Sequence, residues 1–301
     1  MAVYPDLYQT ITDRVITLME TSGSNWANPF NKKVSSLASA NAVTHAKYRG
    51  INTLLLAFTP YACPIWAGFQ QWKSKGCSVR KGEKGTAIVY FKMLKRTEIK
   101  AGKKVDSVFP MLKTLHVFNA EQVDGDFAAA LLTAPEALVD ETEMCARADA
   151  AILATGVTLK YTANPRAYYS PSEDFVHLPE RKLFSATATS SATEAYYGTA
   201  LHELVHATGH TSRLARDFTG RFGTQAYAFE ELIAELGSAF LSAELGISTE
   251  PRADHAQYLN NWLQVLKNDN RAFMKAASCA KAAAAFIVPP PAVIETVEEA
   301  A

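Results

Sequence analysis

Residues 200–210 read Ala-Leu-His-Glu-Leu-Val-His-Ala-Thr-Gly-His, and one spacing in that run constrains the backbone more than any other in the chain. His202 and His206 stand four apart, with Glu203 directly after the first. Two imidazoles so spaced reach a common point only if the segment is helical, because a helix puts positions i and i+4 on one face. On that face they can hold one divalent metal ion, with zinc the favoured identity, and Glu203 is placed as a general base for hydrolysis. Zinc lowers the pKa of the water it holds from ~15.7 toward ~7, which makes a nucleophile available at neutral pH. Three fixed positions also occur by chance on helices. Here Tyr196 to Leu201 continue the helical pattern and Gly209 supplies a stop, which favours the metal reading.

A catalytic zinc needs a third protein ligand. One three-histidine pattern would place it three residues after Gly209, where this chain has Ser212. The ligand is therefore sought further along. Phe229 to Leu236 reads as an amphipathic helix in which Glu231 and Glu235 share a face with Leu232 and Ala239. Carboxylates on an inward face need partners, since an unpaired buried charge is costly. The expected assignment is Glu231 as the ligand and Glu235 as the acceptor that orients a ligand imidazole. The swapped assignment, His210 as third ligand, and a plain solvated acidic face stay open. Arg213 and Arg216 read as residues that close over substrate or pair with acids. His255, Tyr258 and Trp262 fall at a helical spacing more typical of packing.

The chain has 301 residues, comfortable for two cores. Its zero net charge hides an asymmetry: residues 1–125 carry 17 Lys+Arg against 8 Asp+Glu, and the rest 13 against 22. We therefore expect an α+β protein of two domains. These are a small basic domain over 1–130, a mostly helical one over 131–287, and a disordered Pro-rich and acidic tail over 288–301. Residues 119–141 read as a partly helical linker. Helices are expected over 4–20, 53–58, 68–75, 141–154, 190–208, 227–245 and 254–286. Strands are expected over 86–91, 113–118, 158–161 and 175–178, with a basic hairpin turn over 79–85 and a basic excursion over 94–104. Cys63, Cys77, Cys145 and Cys279 form no C-x-x-C pair and read as free thiols of a reducing compartment. With no signal peptide and no ~18-residue apolar run, a cytoplasmic protein without membrane contact is expected.

The basic part interleaves cations with aromatic rings. Trp26 and Phe30 sit in a loop, Lys47, Tyr48 and Arg49 are consecutive, and Trp72 precedes Lys73. Arg80, Lys81 and Lys84 frame two glycines. Positive charge tracks phosphates while flat rings stack on unpaired bases, so a single-stranded nucleic acid is the expected partner. Trp66, Phe69 and Trp72 also fit a buried stripe. No motif for base-specific readout is present, and no cluster of carboxylates suggests a two-metal nuclease.

Taken together, these residues resemble the ArdC antirestriction proteins, which are related to the N-terminal region of TraC-type primases. The N-terminal marks are Trp26-Ala27-Asn28-Pro29-Phe30, Tyr48-Arg49-Gly50-Ile51-Asn52 and Gly76 through Gly85. The C-terminal marks are Tyr197 to His210, Arg213-Leu214, Glu230 to Leu236, and His255 to Asp269. The resemblance implies a domain that binds single-stranded DNA followed by a zincin-like metallopeptidase domain. It further implies a role in shielding incoming conjugative plasmid DNA from restriction enzymes, with a component of the restriction system as a possible protein substrate. A protector that coats DNA and whose metal site is structural or idle is the alternative.

Overall fold

Trp66 and Ala67 are neighbours on a strand and so face opposite ways, and the first of two compact units is built around that fact. The computed structural model describes residues 7–22, 39–57, 59–100, 103–133, 140–187, 190–216, 224–247 and 255–290. The first unit is Met1–Leu7 with Ser35–Ala137, and the second is Tyr8–Val34 with Leu138–Ala301. Together they make an α+β protein in which strands dominate the first unit and helices the second.

The first unit holds β1 (Ala40–Asn41), α2 (Ile51–Ala57), β2 (Ile65–Gly68), α3 (Phe69–Ser74), β3 (Ser78–Val79), β4 (Thr86–Lys100), β5 (Lys103–Asn119), β6 (Val123–Asp124) and α4 (Asp126–Thr133). Its main sheet runs β1-β2-β5-β4, with β1 parallel to β2 and the other pairs antiparallel. On one face Trp66 packs with Leu56, Ile88 and Val117. On the other, Ala67 packs with Trp72, Cys77, Ala120, Val123 and Ala128. The open edge of β4 is partly covered: Asn52 Nδ2 donates to Val89 O and its Oδ1 accepts from Val89 N, both at 2.8 Å. This amide imitates a missing strand, one way a protein blunts a sheet edge.

Three expectations for this unit need correction. The 79–85 segment is not a hairpin turn, because β3 pairs with β6 rather than with β4. Buried Gln122 pins the connection instead, donating to Glu83 Oε2 at 2.9 Å and Lys84 O at 3.0 Å. The basic excursion over 94–104 is the far end of one ladder that continues to Lys100↔Lys103; charged residues do not break strand pairing. Residues 119–133 are not a linker, since Ala120, Gln122, Val123 and Ala128 are buried in the unit's own core. Small side chains that suggest a flexible tether are also those that let a helix lie close to an indole.

The second unit begins within α1 (Leu7–Ser22), at Tyr8, and Ile11, Val15 and Met19 of that helix are buried. Thr12 Oγ1 donates to Asn270 O at 2.7 Å, a contact 258 residues apart in the chain. It continues with α5 (Glu141–Ala154), β7 (Thr158–Thr162), β8 (Tyr168–Ser170), β9 (Phe175–Pro179), α6 (Ala192–Thr208), α7 (Gln225–Leu245), α8 (His255–Asn268) and α9 (Ala272–Ile287). The sheet order is β7-β9-β8; β9 is buried along its whole length. β8 escaped the sequence reading because three residues give no periodicity to detect. The single expected C-terminal helix is two, α8 and α9, separated by a turn in which Asp269 Oδ1 accepts from Arg271 N at 2.8 Å. Trp262 is core, its indole donating to Ala228 O at 2.8 Å. All four cysteines are free. Among the described residues no helix is long and apolar enough to cross a membrane. Of the expected tail, 291–301 lies outside the described residues.

Ser191 caps α6 through a reciprocal pair: Glu194 N donates to Ser191 Oγ at 3.1 Å, and Ser191 N donates to Glu194 Oε2 at 2.8 Å. α7 starts at the Thr224 cap and stops at Gly246, whose φ of 79° is left-handed. The two helices approach closely at Gly237, where a Cβ would lie 2.8 and 2.9 Å from the two methyls of Val205. Gly237→Val is expected to destabilise the protein by about 1–3 kcal/mol through overpacking. Adding Val205→Ala should return a large part of that loss, as read from urea midpoints of the single and double variants.

Candidate metal centre

The α6 helix turns His202, Glu203 and His206 into the interior, where they are 3%, 3% and 9% exposed. The two rings are nearly perpendicular at 78°, and their Nε2 atoms lie 3.2 Å apart. From α7, Glu231 reaches the same point. Its Oε1 is 3.6 Å from His206 Nε2 and its Oε2 is 3.6 Å from His202 Nε2. A tetrahedral ion with bonds of ~2.1 Å has ligand-to-ligand edges of about 3.4 Å, so the three donors fit around one small divalent cation. Among the described residues this trio is the one set of three His, Cys, Asp or Glu able to do so.

Each imidazole has a carboxylate behind it. His202 Nδ1 faces Glu235 Oε1 across 2.9 Å. His206 Nδ1 donates to Glu230 Oε1 at 3.1 Å. A carboxylate at Nδ1 keeps the proton there and leaves the Nε2 lone pair for a metal. Glu230 is itself gripped by Arg216, whose Nη2 and Nε donate to Oε1 and Oε2 at 2.7 and 3.0 Å. Arg216 also closes the end of α6 by donating to Val205 O at 2.6 Å and Thr208 Oγ1 at 2.8 Å. Burial pushes the Glu230 carboxyl up, but the bonds from His206 and Arg216 prevail and it lies below the ordinary glutamate value. For Glu231, burial again acts upward. It is outweighed by the His202 and His206 imidazoles beside the carboxylate and by a bond from Tyr227, which bring it to about 2.

The sequence left the Glu231 and Glu235 roles open, and in the structure Glu231 faces both Nε2 atoms while Glu235 faces an Nδ1. His210 is turned elsewhere, with its Nδ1 2.8 Å from Ser212 Oγ and 3.6 Å from Asp174 Oδ2. Arg213 ties the same loop to Asp174 and donates to Ala207 O at 2.7 Å. Sequence reasoning gave Glu230 and Tyr227 no role. The signal available was the acidic doublet Glu230-Glu231: neighbours on a helix point about 100° apart, so the first could back a ligand that the second shared.

The expected nucleic-acid contacts scatter. Trp26 lies outside the described residues. Lys47, Lys73, Lys81 and Lys84 are exposed, while Tyr48 and Arg49 are half-buried. Tyr48 Oη accepts from Asn41 Nδ2 at 3.2 Å. Trp72 has to be corrected: it is 0% exposed and its indole donates to Phe118 O at 3.0 Å, so no base can stack on it in this fold. Arg80 is also taken up internally. It pairs with Glu83 at 3.2 Å and Asp124 at 3.4 Å and donates to Glu121 O.

Residues 146–279 match a family model described as a zincin-like metallopeptidase, and residues 5–118 match one described as the N-terminal domain of anti-restriction factor ArdC. The chain is 36% identical to the uncharacterized protein y4eC of Sinorhizobium fredii, over 92% of this chain and 89% of that one. It is 34% and 32% identical to two DNA primase TraC proteins of Escherichia coli, spanning 27% and 19% of their lengths. Among solved structures, it is similar to the metal-free crystal structure of the antirestriction ArdC protein from the R388 plasmid. The TM-score is 0.71 at 36% identity, covering 94% of this chain and 96% of that one. The Mn(II)-bound structure of that protein matches with a TM-score of 0.69 at 35% identity, covering 94% and 97%.

If Glu235 orients His202, Glu235→Gln should weaken divalent-metal binding by about 10–100-fold. Competition with a chromogenic chelator measures this, and circular dichroism should show the helices intact.

Proposed function

The chain belongs to the ArdC family of antirestriction proteins, and from that premise we propose that it binds single-stranded DNA and protects incoming conjugative plasmid DNA from restriction. We further propose that its second unit is a metallopeptidase. His202, His206 and Glu231 hold one divalent ion, Glu235 and Glu230 orient the two imidazoles, and Glu203 is the general base. The observation that carries this reading is the convergence of two Nε2 atoms and one carboxylate, with each Nδ1 backed by a second carboxylate.

An ion held there would lower the pKa of water toward ~7 and polarise a carbonyl. Glu203, one residue from a ligand and buried with it, takes up the proton that water gives up and passes it to the leaving amine. The donor set of two imidazoles and a carboxylate suits zinc; the related ArdC crystal holds Mn(II). The first unit supplies positive charge for phosphates through exposed Lys47, Lys73, Lys81 and Lys84. Binding should weaken steeply with salt and favour single over double strands. Free thiols and the proposed DNA partner favour the cytoplasm as the site of action. A DNA-bound protein of the restriction machinery is the proposed substrate.

Glu203→Gln keeps the shape and removes the base. A plasmid encoding this variant, delivered into a restricting recipient, is expected to lose protection while the purified protein retains its metal. Protection equal to wild type would assign the activity to DNA coating and leave the metal site without a role in it.

A further inference from the structure

We propose that Phe69 is a stacking platform for an unpaired base of single-stranded DNA, with Lys73 and Lys84 placed for the adjoining phosphates. This rests on the reading that the first unit binds single strands, and it names where.

The three aromatics Trp66, Phe69 and Trp72 part company at the junction of β2 and α3. Trp66 is 1% exposed and Trp72 0%, yet Phe69 is 51% exposed. A phenyl ring left half in water forgoes the burial that its two neighbours have. The ring is not loose. It meets Phe118 edge-on, with centroids 6.3 Å apart and planes at 66°. Phe118 is fixed in turn: its carbonyl accepts the Trp72 indole, and the place of a Cβ on Gly85 lies 3.1 Å from Phe118 Cζ. The start of β4 therefore closes on the Phe118 ring because residue 85 has no side chain.

Single exposed apolar residues are common and mean little. Here the surrounding charge adds the missing half. Lys73 follows Phe69 by four residues on α3 and so lies on its side of the helix, and Lys84 precedes Gly85. Both are exposed, and among the described residues no carboxylate pairs with either. The nearby acids Glu83 and Asp124 are instead held by Arg80. A half-exposed ring braced by Phe118, with exposed lysines that pair with no described carboxylate, matches a polymer that alternates flat bases with phosphates.

The test is fluorescence anisotropy with two labelled probes of equal length, an oligothymidylate and an abasic oligomer that has the phosphates but no bases. Phe69→Ala is expected to weaken oligothymidylate binding about tenfold and leave the abasic oligomer unaffected. Phe69→Tyr should bind as wild type, and Phe69→Leu should fail as alanine does. Lys73→Ala and Lys84→Ala should weaken both probes alike and each lower the salt slope by about one. If Phe69→Ala binds both probes as wild type does, or loses both equally, the platform is refuted while single-strand binding stands. If the wild-type protein binds neither probe, both readings fall together.

Discussion

Four carboxylates and two imidazoles share the interior between α6 and α7, and the arrangement of the second unit follows from making that tolerable. Of Glu203, Glu230, Glu231 and Glu235, it is Glu230 that pairs with the buried guanidinium of Arg216. Such an excess of negative charge in a low-dielectric place is costly unless cations compensate it. The His202 and His206 imidazoles beside Glu231 hold its carboxyl down at about 2 against the pull of burial. A divalent cation on the Nε2 side would compensate it more fully, on the side of each ring away from the carboxylate that faces its Nδ1.

The rest of the unit serves that geometry. The Ser191 cap sets where α6 begins and Arg216 finishes it. The missing side chain at Gly237 lets α7 come near enough for Glu231 to reach both rings. Glu230 is the point where the helix-ending Arg216 and the His206 imidazole meet. Ligand orientation and helix packing are therefore one problem here, and a change at Arg216 acts on both.

What could be read from the sequence was what is local and periodic. The spacing of His202 and His206 required a helix, and the spacing of Glu231 and Glu235 required a second helix with an acidic inward side; both are present. What escaped depends on long-range pairing or on an element boundary. Nothing in residues 7–22 names Asn270 as a partner. Nothing in Ser78-Val79 names Val123-Asp124. The stripe Trp66, Phe69, Trp72 fits helical spacing, but Trp66 belongs to a strand and Phe69 is the first helical residue, so one period does not span all three. Arg80 shows the same limit for charge: its sequence neighbourhood is basic, yet its partners Glu83 and Asp124 absorb it.

The central claim is that one ion is gripped jointly by two histidines of α6 and a glutamate of α7. Native mass spectrometry of protein dialysed against zinc counts ions per chain directly. The account predicts one tightly held ion in the wild type, and none retained in Glu231→Ala or His202→Ala folded to the same extent. An ion retained equally by wild type and Glu231→Ala would contradict it.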